Sequence, residues 1–184
     1  GATAGSYKFL SLPYARRGTT NSAQITLLTL SVQGAAANDV LPAAINPNAT
    51  RLNLDTTSFP KKTLTLSMGQ MKAYINGQAF QDNPYVTNST LGTYEVWTVK
   101  NRTNMDHPFH QHVNAAQVLS ITGADASYPP YAALPAWKDT VLVPKNGSVT
   151  LLVPVKDYMG TTVFHCHILE HEDIGMMGVW QIGA

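Results

Sequence analysis

Short runs in which β-branched and apolar residues alternate with polar ones recur along the chain, the pattern of half-buried strands. Tyr7 to Leu12 and Ala23 to Gln33 carry it near the start, with Pro13, Gly18 and small polar residues between them. Further runs cover Thr63 to Met68, Tyr94 to Lys100, Gln117 to Thr122, Lys138 to Val143, Ser148 to Val155, Thr161 to Ile168 and Met177 to Ile182. Turn signals such as Asn76-Gly77, Leu91-Gly92 and Lys145-Asn146-Gly147 separate several of them. The expectation is an all-β protein built as a Greek-key β-sandwich. No stretch has a sustained helical period; residues 83–89 and 124–136 read as loops with room for at most a helical turn.

Between Ala35 and Lys61 the chain turns to Ala, Asn and Pro, with Pro42, Pro47 and Pro60 as punctuation, which predicts an irregular connector. Three segments follow: terminal strands over 1–34, a linker over 35–61, and a main domain over 62–184. There is no internal repeat.

Composition narrows the function classes. Hydrophobic residues make up 44% of the chain, enough for a buried core, while charged residues are only 12% and the formal net charge is +1. No nucleic-acid-binding patch or polybasic anchor stands out. The apolar runs Ile25 to Leu30 and Val149 to Val155 are far too short to span a bilayer. The first residues, Gly1 to Ser6, lack the basic start and apolar centre of an export signal.

The chemistry is concentrated. All six histidines lie in two windows, His107-Pro-Phe-His110-Gln-His112 and His165-Cys166-His167-Ile-Leu-Glu-His171, and the second holds the single cysteine and leads to Met176-Met177. Imidazole, thiolate and thioether together suit copper. Residues two apart on a strand share a face. His165 and His167 therefore face away from Cys166, and His110 and His112 away from His107. One set is Cys166 and His107, joined by His171 and Met176 from beyond the strand: two imidazoles, a thiolate and a weak thioether, as in a blue-copper electron-transfer centre. The other is His110, His112, His165 and His167, an all-imidazole set suited to copper that handles dioxygen. Cys166 sits covalently between His165 and His167, so an electron entering at its thiolate has a backbone route to the second set.

Blander readings explain less. Structural zinc needs four ligands converging on one point, which His-Cys-His on consecutive strand positions cannot supply. A Cys-His nucleophile leaves most of the histidines idle. Met177 competes with Met176 for the axial position, while Met68, Met71, Met105 and Met159 read as packing residues. Glu170, Glu172 and Asp173 form either a solvated loop or, beside a site that consumes protons, a relay.

The two histidine motifs resemble the last domain of bacterial laccase-type multicopper oxidases. The similarity extends through Leu66-Ser-Met-Gly69, Tyr74-Ile-Asn-Gly77, Val99-Lys-Asn-Arg102 and Trp137-Lys-Asp-Thr140. Tyr7 to Tyr14 and Ile25 to Leu30 resemble the closing strands of that family's middle domain, as if the chain began inside a domain. The resemblance implies a cupredoxin-like sandwich. It assigns His107, Cys166, His171 and Met176 to a type 1 copper, His110 to type 2 copper, and His112, His165 and His167 to a type 3 pair. Glu172 falls where some members place an acid that delivers protons. Gln111 between the histidines, and Val113-Asn114 after them, depart from the commoner His-Leu-His-Gly-His pattern.

In that family the three-copper cluster takes eight histidines, four of them from another domain, and this chain has none left to give. Three resolutions are expected: a fragment of a three-domain oxidase, a symmetric dimer that pools two half-sets, or an isolated blue-copper electron-transfer or copper-binding module without oxidase activity. The oxidase reading implies remaining domains or a second chain as partner, dioxygen, a small reducing substrate such as a phenol, aromatic amine or metal ion, and a periplasmic or extracellular location.

Overall fold

The computed structural model describes residues 3–13, 22–35, 40, 42–44, 46, 48–125 and 134–184. Gly18, Pro47 and most of the expected loop over 124–136 lie outside the described residues. Two compact units are distinguished, Gly1–Thr50 and Arg51–Ala184, with the division inside the expected connector.

In the first unit, β1 (Gly5–Ser11) and β2 (Ile25–Val32) form an antiparallel ribbon. Tyr7 pairs with Leu30 and Phe9 with Leu28, so one face of the ribbon is apolar, and all four residues are exposed.

The second unit is the expected all-β sandwich. One sheet has six strands in the order β4 (Lys72–Ile75), β3 (Lys61–Gly69), β6 (Tyr94–Asn101), β11 (Ser148–Pro154), β8 (Ala116–Thr122), β9 (Ala136–Lys138). The other has five, in the order β10 (Thr140–Val143), β7 (His107–Gln111), β12 (Gly160–Cys166), β13 (Met177–Gly183), β5 (Tyr85–Thr90). A short helix, α1 (Leu169–Asp173), follows β12. Inward residues of the two sheets interdigitate around Trp97, whose ring lies 4.9 Å from Trp180 and 5.6 Å from Phe164 between ring centroids. Burial of these large aromatic faces supplies most of the apolar stabilisation at the centre.

The structure corrects several expectations. Residues 85–89 of the expected loop 83–89 are a strand: β5 pairs in parallel with β13. Hydropathy misses this strand because its inward residues, Thr87 and Ser89, are polar. Ser89 has a structural reason for that polarity, since its hydroxyl accepts the Trp180 indole N–H at 2.7 Å and donates to Glu95 at 3.0 Å. Strand β4 follows a turn at Gln70-Met71, where both residues have positive φ (52° and 63°) without glycine to signal it. The expected strand Lys138 to Val143 is broken at Asp139, where the chain passes from the six-stranded sheet to the five-stranded one. Met71 and Met159 do not pack: they are 93% and 62% exposed, and Met68 is exposed as well. Among the described residues no helix is long and apolar enough to cross a membrane.

Candidate metal centre

Strand β7 alternates as the parity rule requires: His107, Phe109 and Gln111 are buried, while Pro108 and His110 are only partly so. Strand β12 lies antiparallel to it, with His165 opposite His110 and Cys166 opposite Phe109. Cys166 therefore points between the sheets with His107, and His165 points to the outer face with His110 and His112.

Between the sheets, His107, Cys166 and His171 converge, all three buried. Cys166 Sγ lies 3.5 Å from His107 Nδ1 and 3.6 Å from His171 Nδ1, and the two Nδ1 atoms are 3.2 Å apart. Donor atoms bound about 2.0–2.3 Å from one first-row metal ion, at angles between tetrahedral and trigonal, sit about 3.2–3.8 Å apart. The trio fits such an ion. His171 reaches it from α1 rather than from a loop, and Met176 follows one turn later. The Met176 carbonyl accepts the Cys166 N–H at 3.0 Å, and its own N–H donates to the His171 carbonyl at 2.8 Å, fixing a fully buried side chain beside the trio's backbone. Burial, with a smaller contribution from His171, pushes the His107 imidazole down to about 3, so it is neutral and ready to donate a lone pair at ordinary pH.

On the outer face, His110, His112 and His165 form a second group. His112 Nε2 and His165 Nε2 are 3.1 Å apart. His110 Nδ1 lies 3.0 Å from both the Asp139 carbonyl and the Thr140 hydroxyl, an anchor that leaves Nε2 as the atom that could bind a metal. His165 is held likewise: its Nδ1 lies 3.1 Å from the Glu172 carboxylate and 3.1 Å from the Cys166 carbonyl. His167 lies beyond the end of β12 and is exposed. Its ring centroid is 5.6 Å from those of His110 and His165, at the margin of the group rather than inside it. Burial, then the neighbouring His110 and His165, push the His112 imidazole below its usual value.

Glu172 thus touches the second group through His165 while its carboxylate stays partly exposed, 28% by side chain. Sequence reasoning missed Thr103, whose hydroxyl is 2.7 Å from His107 Nε2, and the Asp139-Thr140 anchor of His110. Thr103 had one faint signal, its place four residues ahead of His107. Asp139 and Thr140 lie in the Trp137-Lys-Asp-Thr140 motif, but their contact with His110 depends on a strand leaving its sheet.

The family model described as multicopper oxidase matches residues 47–184. The chain is 37% identical over 103 residues to a laccase of Haloferax volcanii, a match that covers 56% of this chain and 18% of the laccase. It is 35% identical over 130 residues to the multicopper oxidase mco of Staphylococcus aureus, covering 68% of this chain and 28% of that protein. The crystal structure of the McoA multicopper oxidase of Aquifex aeolicus superposes on the whole chain with a TM-score of 0.78 at 27% identity, and this chain covers 42% of it. The chain thus spans less than half the length of these relatives.

Proposed function

Because the chain belongs to the multicopper oxidase family, we propose that it is the electron-entry portion of a laccase-type oxidase, with His107, Cys166, His171 and Met176 holding a type 1 copper. The observation that carries this reading is the convergence of the Cys166 thiol and two Nδ1 atoms within 3.2–3.6 Å in a buried pocket. His110 is assigned to a type 2 copper, and His112, His165 and His167 to a type 3 pair.

When bound, copper supplies the redox chemistry of this family: single electrons taken from a phenol, aromatic amine or metal ion, and reduction of dioxygen to water. The protein's own residues supply the route and the order. Cys166 holds its sulfur in the inner group while its peptide bonds lead to His165 and His167 of the outer one, so the two groups are joined by covalent structure. His171, 8% exposed, is the inner group's nearest approach to the surface and the side on which a small reductant docks. Glu172 holds a carboxylate between solvent and His165 Nδ1, where it can pass protons inward. The outer group holds half of the histidines that the family's cluster requires. The remaining domains, or a second chain, complete it, and residues 1–34 are assigned to the preceding domain with 35–61 as the connector. The location proposed is periplasmic or extracellular.

Copper stoichiometry and absorption spectroscopy test this reading. The copper-loaded chain is expected to turn blue with one tightly held copper, and Cys166→Ser to abolish the colour. A chain that binds copper without the thiolate-to-copper band, or a Cys166→Ser variant that keeps it, overturns the assignment.

A further inference from the structure

The ring of His107 is held from behind by a buried polar network that the trio itself does not need for shape. Thr103 Oγ1 lies 2.7 Å from His107 Nε2, the nitrogen on the far side of the ring from Cys166 and His171. Thr103 is 9% exposed, Asn101 3% and His107 0%, so water is a poor substitute for any of these partners. The same hydroxyl lies 2.9 Å from Asn101 Oδ1 and 3.0 Å from the Met105 carbonyl.

Counting protons favours one direction for this network. The Asn101 amide is oriented without ambiguity: its Nδ2 donates to the carbonyls of Met105 and Val143 at 2.8 and 3.2 Å, and its Oδ1 accepts the Thr103 N–H at 2.8 Å. Asn101 Oδ1 and the Met105 carbonyl are both pure acceptors. Sending the single Thr103 hydroxyl proton to His107 would leave both of these close oxygen pairs without a proton between them, so the favoured arrangement gives it to one of them and leaves the hydroxyl oxygen to accept from His107 Nε2–H. Val143 is also the cross-strand partner of His107, so Asn101 ties the network to the strand beside the ligand.

We propose that Thr103 is a positioning residue for the mononuclear centre, its hydroxyl holding His107 in the Nε2–H tautomer so that the Nδ1 lone pair faces Cys166 and His171. The proposal rests on the reading of that trio as a copper site. Accepting the ring N–H also makes the imidazole a stronger donor. That favours the higher oxidation state of a bound ion, so the contact lowers the reduction potential of the site.

Thr103→Val keeps the shape and removes the acceptor. Relief then comes from moving the ring proton to Nδ1, which takes away the ligand lone pair. Copper affinity is expected to fall about ten- to hundredfold, and the potential of the copper that still binds to rise. Thr103→Ser restores both, a rescue that a role in packing the threonine methyl group does not predict. Nitrogen NMR of the wild-type chain loaded with copper(I) gives a readout independent of any variant. It is expected to show a slowly exchanging proton on His107 Nε2. Wild-type affinity and potential in Thr103→Val, equal losses in Val and Ser variants, or a fast-exchanging Nε2 proton each overturn the proposal. A wild-type chain that never forms the blue site instead overturns the copper assignment on which it rests.

Discussion

At His107 burial pulls the same way that metal binding would. The side chain is fully enclosed and its imidazole is pushed down to about 3, whereas the unfolded chain titrates near 6.5. Between these values the unfolded state binds the extra proton. Stability of the copper-free chain is therefore complete above about pH 6.5 and is lost as pH falls toward 3, with a slope of up to about 1.4 kcal/mol per pH unit for this one group. His112, lowered in the same direction, adds to that trend. Denaturant titrations across this range measure it, and His107→Gln is expected to flatten the slope by about one proton. On the outer face, Glu172→Gln keeps a hydrogen-bonding oxygen beside His165 but removes the titratable carboxylate. In the completed oxidase it is expected to slow turnover and shift its pH profile, with absorption of the type 1 site unchanged.

At the scale of elements, α1 and the residues after it decide where His171 and Met176 sit. Gly175 has φ of 118°, and a Cβ there would meet the Ala73 carbonyl at 2.7 Å and Ala79 Cβ at 2.9 Å. Gly175→Ala is expected to cost about 2 kcal/mol and to lower Tm by about 4–8 °C, measured by thermal melting. The same site shows what periodicity reads and what it does not. Strands with apolar inward residues, such as β3 and β11, were legible from alternation. Strand β5 was not, because its inward residues Thr87 and Ser89 are polar, Ser89 satisfying Trp180 and Glu95 by hydrogen bonding. Lys138, the last residue of β9, and β10 read as one run because the switch of sheet at Asp139 changes partners and leaves composition unaltered. The five-residue α1 is too short to show a helical period.

For the whole molecule, the two groups that could hold a metal differ in how complete they are. The inner one is assembled from a single sandwich, while the outer one opens on the sheet surface. The copper-loaded chain alone is expected to show the blue absorption and negligible dioxygen consumption, with consumption appearing once the complementary domains are supplied; oxygen-electrode measurements check this. The β1-β2 ribbon, with Tyr7, Phe9, Leu28 and Leu30 exposed along one face, is expected to exchange its amide protons much faster than the sandwich, since a lone two-stranded ribbon is marginal in water.

Ligand chemistry and its division into two faces were set by local sequence. A strand turns each successive side chain over, so the order His-Cys-His and the spacing of His107 from His110 and His112 already separate thiolate from outer imidazoles. Tertiary structure alone decided which side chains meet. His107 and Cys166 are 59 positions apart, and only the pairing of β7 with β12 brings their donor atoms to 3.5 Å. It also chose the free nitrogen of each ring, through Thr103 behind His107, the Asp139 carbonyl behind His110 and Glu172 behind His165. Those contacts depend on the register of strands and on a change of sheet, which residue types along one chain do not encode locally.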